Sequence, residues 1–163
     1  MSDHQPEIRI IGATQWREYR DIRLRALAEA PYAFGTTYAE ASARGDEVWR
    51  DRFLAPDHDR WLPLAAVFAG KFVGLAWGYR SDDSRTVEIF QMWVAPAFRG
   101  RGVGVALLSR IECWARSIAA QHLRLGVMPG NDAALALYQR YGFTLADEPP
   151  DEDGERKMTM ALR

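Results

Sequence analysis

Cysteine is nearly absent from this 163-residue chain: Cys113 is the only one, so no internal disulfide can form, as suits a reducing compartment. An excess of either charge sign is missing too. With 21 basic against 22 acidic residues the net charge is -1, which leaves no global positive field to draw the chain onto nucleic acid or anionic lipid. Any anion site must be local. Long apolar runs are also lacking, since the longest, Leu62 to Gly70, is broken by Pro63 and falls far short of the ~20 residues of a spanning helix. Residues Asp3 to Glu7 do not have the charged-then-apolar layout of a secretory signal. Neither nucleic acid nor a membrane is therefore an expected partner, and the expected location is cytoplasmic. His4, His58 and His122 are scattered without the spacing of a metal site, so no metal is expected. No repeat, low-complexity tract or interdomain linker is found.

What is present is the balance of a globular protein: 48% apolar and 26% charged residues, with six tryptophans. The length fits one domain over 1–163. Ile8 and Ile10 alternate with polar residues like a short strand, and Thr14 is placed to cap a helix carrying Trp16, Tyr19, Ile22, Ala26 and Leu27 at helical spacing. A short helix from Asp46 carries Trp49 and Phe53 and stops before Pro56, while 32–45 is expected to be irregular. Leu64 to Ala69 and Phe72 to Tyr79 form a hairpin around Gly70-Lys71, and Thr86 to Val94 adds a third antiparallel strand. Helical period returns over Gly102 to Ile118, with Val103, Ala106, Leu107, Arg110, Ile111 and Trp114 on one stripe. A strand over Leu123 to Val127, a helix over Ala133 to Tyr141 closed by Gly142, and strands near Phe143 to Leu145 and Lys157 to Leu162 complete the chain. The fold class is α/β (α+β), with a mixed, mostly antiparallel central sheet flanked by helices.

The most informative stretch is Arg99-Gly100-Arg101-Gly102-Val103-Gly104, between a strand ending Val94-Ala95-Pro96 and a helix. Glycines without Cβ let the backbone approach a ligand, and the helix start adds free N–H groups and a positive dipole end beside two arginines. Together these describe a phosphate or pyrophosphate site; a plain glycine-rich turn is the alternative. The dinucleotide pattern G-x-G-x-x-G/A fails, because Val105 or Leu107 stands where the third glycine belongs. A P-loop fails as well, since the only Gly-Lys pair, Gly70-Lys71, is followed by Phe72.

Arg99 to Gly104 resembles the (Gln/Arg)-x-x-Gly-x-(Gly/Ala) acyl-CoA signature of the GNAT superfamily of N-acetyltransferases. Asn131-Asp132-Ala133-Ala134, Leu137-Tyr138 and Tyr141-Gly142-Phe143 resemble its second motif, Asn-x-x-Ala…(Leu/Phe)-Tyr-x-x-x-Gly-Phe. The resemblance runs from Leu64 to Phe143, with Pro31 to Gly35 also similar. It implies that acetyl-CoA is the acyl-donor cosubstrate, that Arg99, Gly100, Arg101, Gly102, Val103 and Gly104 hold its pyrophosphate, and that the backbone of Met92, Trp93 and Val94 pairs with pantetheine. Asn131 would contact pantetheine, cap the following helix, or both. Tyr138 corresponds to the tyrosine that protonates or hydrogen-bonds the departing sulfur, against the plainer reading of a core tyrosine. Glu88 lies at the strand position where some members carry a general base, although a salt-bridged carboxylate or ordered water is equally compatible.

Phe34, Tyr38 and Tyr79 are candidates for the acceptor side, whereas Trp49 and Trp77 read as core. Cys113 reads as a small buried side chain, and the acidic run Asp147 to Glu155 as a solvated loop or a border of the acceptor entrance. The implied activity is acetyl transfer to a primary amine by direct attack in a ternary complex, the acceptor being a small molecule or peptide. A non-catalytic acyl-CoA sensor is the alternative. A homodimer through an exposed strand or the C-terminal strand pair is compatible with the sequence, which marks no interface.

Overall fold

The computed structural model describes residues 5–55 and 57–163; His4 and Pro56 lie outside the described residues. Seven strands form one sheet in the order β1-β2-β3-β4-β5-β7-β6. They are β1 (Glu7–Ile10), β2 (Trp61–Phe68), β3 (Lys71–Arg80), β4 (Thr86–Val94), β5 (His122–Val127), β6 (Thr144–Leu145) and β7 (Arg156–Ala161). Every neighbouring pair is antiparallel except β4 and β5. Among the described residues five α-helices accompany the sheet: α1 (Trp16–Glu29), α2 (Tyr38–Ser42), α3 (Asp46–Asp51), α4 (Val103–Ser117) and α5 (Asp132–Tyr141).

Strand β3 shows how the core is shared between two faces. Alternation sends Trp77 to one side, where its ring lies 5.0 Å from that of Tyr19 on α1. Gly74 and Gly78 face the other side, where an added Cβ would sit 3.4 Å from Val103 and 3.2 Å from Trp114 of α4. The two glycines thus let α4 press closely onto the sheet. Strand β3 is consequently apolar along most of its length, as a strand covered on both faces must be. Trp49 and Trp77 are both buried beside Tyr19, in the core role expected of them.

Several expectations are corrected by local chemistry. Thr14 does not cap α1: the helix is entered through a 3-10 turn, Ala13–Gln15, whose Gln15 side chain accepts from the Gly12 N–H at 2.9 Å. The 32–45 segment is only partly irregular. Thr37 and Glu40 form a reciprocal capping box that starts α2, with the Glu40 N–H donating to the Thr37 hydroxyl at 3.1 Å and the Thr37 N–H to the Glu40 carboxylate at 3.2 Å. The β2–β3 turn is Ala69-Gly70, one residue earlier than expected, because both residues take left-handed φ (50° and 76°). On α4 the buried stripe is Val103, Leu107, Leu108, Ile111 and Ala115, which puts Cys113 on the exposed side rather than in the core.

Strand β4 is irregular along both of its edges. Parallel pairing with β5 is confined to Thr86–Ile89 against His122–Leu125, so beyond Ile89 the β5-facing side of β4 has no strand partner. On its other side, Trp93 pairs with Leu75 and Phe90 with Trp77, which leaves Gln91 and Met92 opposite Ala76 alone. This is a β-bulge, with Gln91 at φ 59° and its side-chain oxygen accepting from the Tyr19 hydroxyl at 2.7 Å.

Candidate active site

The glycine loop assigns each glycine a separate task. Gly100 and Gly102 have φ of 75° and 81°, and a Cβ on either would meet nothing within 4 Å. Backbone conformation, not crowding, selects glycine there, and the loop surface is left open for a ligand. Gly104 lies inside α4, where a Cβ would come within 2.9 Å of Leu137 on α5. Its role is close packing of two helices. The first turn of α4 has no side-chain cap and no acidic residue, so its N–H groups and dipole end are available to an anion.

A cleft of about 470 Å³ opens on this loop. It is lined by Met92, Trp93, Val94, Arg99, Gly100, Gly102, Val103, Gly104, Asn131 and Tyr138, which brings together every expected cofactor-site residue except Arg101. Arg101 is exposed, its guanidinium 5.4 Å from the Phe98 ring. Arg99, though exposed, is fixed in place: it donates to Glu29 at 2.7 and 3.3 Å and to the Val94 carbonyl at 2.9 Å. Trp93 donates its indole N–H to the same Glu29 carboxylate at 2.9 Å. Glu29 therefore ties the loop and the end of β4 to α1, and the Arg99 hydrogen bond holds its carboxyl below the usual carboxylate range. A cationic residue not anticipated from the sequence, Arg140 in the last turn of α5, also borders the cleft.

A second cleft of about 330 Å³ lies on the other side of the same junction. Glu88, Phe34, Arg23, Trp61, Phe90 and Gln91 are among its walls. The bulge, in place of strict alternation, allows Phe90, Gln91 and Met92 to border one cavity in succession. Tyr138, Met92, Asn131 and Ala33 belong to both clefts, so the two spaces meet beside the Tyr138 phenol. Burial pushes that phenol's pKa up from its ordinary value near 10, which keeps it protonated at neutral pH. Asn131 caps α5, accepting from the Ala134 N–H at 3.4 Å, while it lines both clefts.

Tyr38 and Tyr79 are not brought to the second cleft. Tyr38 is exposed at the start of α2, and Tyr79 stacks behind Trp61 with ring centroids 4.4 Å apart. The acidic run is partly consumed internally: Glu148 pairs with Arg124 at 2.6 Å and Glu155 pairs with Lys157. Among the described residues no cluster of His, Cys, Asp and Glu is arranged to hold a metal, and no helix is long and apolar enough to cross a membrane.

The residues missed by the sequence reading had partial signals. Arg23 falls in the helical stripe of Tyr19, Ile22, Ala26 and Leu27, and a charge within an apolar stripe marks a position that needs a partner. Arg140 lies one helical turn beyond Leu137 on the face that begins at Ala133. The β4 bulge has no such signal, since Gln91 is neither Gly nor Asn.

Comparison with known proteins agrees with this geometry. The model of the acetyltransferase (GNAT) family matches residues 16–143. The protein yncA from Salmonella typhimurium, solved with its cofactor acetyl-CoA, is 20% identical with a TM-score of 0.79, the match covering 99% of this chain and 95% of that one. Ribosomal-protein-alanine N-acetyltransferase from Brucella melitensis is 23% identical with a TM-score of 0.75, over 96% and 99% of the two chains. Nourseothricin acetyltransferase is 31% identical over 67% of this chain and 69% of its own, with a TM-score of 0.60. With both sequence motifs on the two sides of one cleft and a family match over most of its length, the chain belongs to the GNAT family of acetyltransferases, whose acyl donor is acetyl-CoA.

Proposed function

We propose that the chain is a single N-acetyltransferase domain that transfers the acetyl group of acetyl-CoA to a primary amine by direct attack within a ternary complex. The observation that carries this reading is the meeting of the glycine-loop cleft and the second cleft at Tyr138. Acetyl-CoA supplies a thioester whose C–S bond breaks as the C–N bond to the amine forms. The N–H groups of the α4 start and the open backbone at Gly100 and Gly102 bind the pyrophosphate, Arg140 adds positive charge in the cleft wall, and Arg101 contributes its charge from outside the cleft. Beyond Ile89 the backbone of Met92, Trp93 and Val94 has no strand partner on the β5 side and receives the pantetheine arm there through groups other than the Val94 carbonyl, which Arg99 holds, with Asn131 in the same cleft.

Glu88, reached from the second cleft, accepts the amine proton directly or through water. Tyr138 donates a hydrogen bond and then a proton to the departing sulfur. The proton surrendered by the amine balances the one delivered to the thiolate, so the net products are the amide and the free thiol. Phe34 lies in the wall of the acceptor cleft, whereas Tyr79 backs the wall residue Trp61 from outside it.

Calorimetry with acetyl-CoA, beside ATP and NADH, is the first test. Selective acetyl-CoA binding with a matching rise in melting temperature, followed by amine-dependent thiol release, is expected. Binding without thiol release for any amine would leave an acyl-CoA sensor, and no binding would remove the reading altogether.

A further inference from the structure

Arg23 is 7% exposed, lines the acceptor cleft, and its Nη1 is buried without a hydrogen-bond partner. Its guanidinium lies over the Phe34 ring at 4.6 Å, a contact that packs the cation without neutralising it. Arg44 and Arg52 add to the local positive charge, each stacked near Trp49 at 5.7 and 5.9 Å. Among the described residues, none of these three arginines forms an ion pair with a carboxylate. Burial, with the two like charges, pulls the Arg23 pKa down to about 10, still leaving it charged at neutral pH. A buried, unpaired cation is a costly arrangement unless a partner arrives from outside.

The same cleft contains the opposite defect. Arg124 and Lys157 are neutralised by Glu148 and Glu155, but the side-chain carboxylate of Glu88 has no ion-pair or hydrogen-bond partner among the described residues. One unpaired guanidinium and one unpaired carboxylate therefore border a single space of about 330 Å³. That pairing of charges is complementary to a small zwitterion.

Building on the acetyl-transfer reading, we propose that the acceptor is a free amino acid, its carboxylate received by Arg23 and its amino group directed to Glu88. The guanidinium fork suits bidentate recognition of a carboxylate. Before attack, one proton of the ammonium passes through Glu88 or water to solvent, leaving the neutral amine to form the C–N bond and the Glu88 carboxylate free to take the second proton as that bond forms.

The test uses the full chain with acetyl-CoA and thiol release as readout. The twenty common L-amino acids are assayed singly, beside the α-carboxamide of the fastest, its decarboxylated amine, and spermidine. The free acid is expected to exceed its carboxamide and decarboxylated amine by about 100-fold in kcat/KM. Arg23→Gln should raise KM for the amino acid and reduce this preference to a few-fold, with acetyl-CoA affinity by calorimetry unchanged; Arg23→Lys should fall between. Comparable turnover of acid and carboxamide, faster turnover of spermidine, or no turnover of any amino acid by a chain that binds acetyl-CoA would overturn the proposal. The wild-type comparison stands even where a variant fails to fold. Loss of acetyl-CoA binding itself would instead count against the acetyl-transfer reading.

Discussion

In the proposed reaction Tyr138 has two requirements to meet: it must touch the reacting region, and it must keep its proton until sulfur needs one. Burial satisfies the second by pushing the phenol's pKa above its ordinary value. The same burial makes full proton transfer more uphill than for a free phenol, so the hydrogen bond to the developing thiolate carries much of the effect. Tyr138→Phe is expected to lower kcat about 100-fold while acetyl-CoA affinity stays within a few-fold, as single-turnover kinetics and calorimetry would show. Because the phenol's pKa lies above 10, Tyr138 should contribute no loss of kcat as pH rises from 7 to 9; a tyrosine-dependent fall in that range would contradict the assignment. The glycines allow a sharper contrast. Gly102→Ala meets no atom but forces φ 81° on an L-residue, at about 1 kcal/mol. Gly104→Ala has an ordinary helical position but meets Leu137 at 2.9 Å. The first should weaken acetyl-CoA binding through the loop and lower the melting temperature by about 2–4 °C; the second asks only the Leu137 side-chain tip to shift and gains helix propensity, so its melting temperature should change less.

At the scale of elements, Glu29 joins three of them: the end of α1, the indole at the end of β4, and Arg99 of the loop that leads into α4. Its pKa is lowered chiefly by the Arg99 hydrogen bond, so its contribution to stability is present above the ordinary carboxylate value and is lost as pH falls through the lower folded value. The contact is partly exposed, which limits its worth to about 0.5–1 kcal/mol. Glu29→Gln should lower the melting temperature slightly at pH 7, lose that difference as the pH falls below about 4, and raise the dissociation constant for acetyl-CoA a few-fold. An unchanged melting temperature at pH 7 would mean that the loop is positioned by its glycines alone. This clamp was not legible in the sequence, where Arg99 reads as a phosphate ligand; the 70-residue separation of its partners is set by the fold. Periodicity did disclose β3, β4, α4 and α5, because each buries a regular stripe or alternating face. Helix α2 was legible in principle, since Thr37 and Glu40 spell a capping box, but its five residues bury only Ala41 and leave almost no apolar pattern. The β4 bulge was not legible, being fixed by the long-range hydrogen bond from Tyr19 to Gln91.

For the whole molecule, the order of strands decides how the two substrates can meet. Because β4 and β5 are parallel neighbours that pair only up to Ile89 and Leu125, the sheet opens at its centre. The glycine-loop cleft lies on one side of that opening and the cleft bearing Glu88 on the other, and Tyr138 borders both. Under the proposed reaction each substrate then has its own entrance, and both must be present for the amine to reach the thioester. A covalent acetyl-enzyme would need a strong nucleophile at the junction. Cys113 is exposed on α4 and belongs to neither cleft, and Thr36 is the only aliphatic hydroxyl among the described walls. Initial rates measured against both substrates should therefore give intersecting double-reciprocal lines, the pattern of a ternary complex. Cys113→Ser should leave kcat within about twofold. Parallel lines, together with a burst of thiol equal to the enzyme concentration before any amine is added, would mean that an acetyl group is held by the chain and that direct attack is the wrong chemistry for this site.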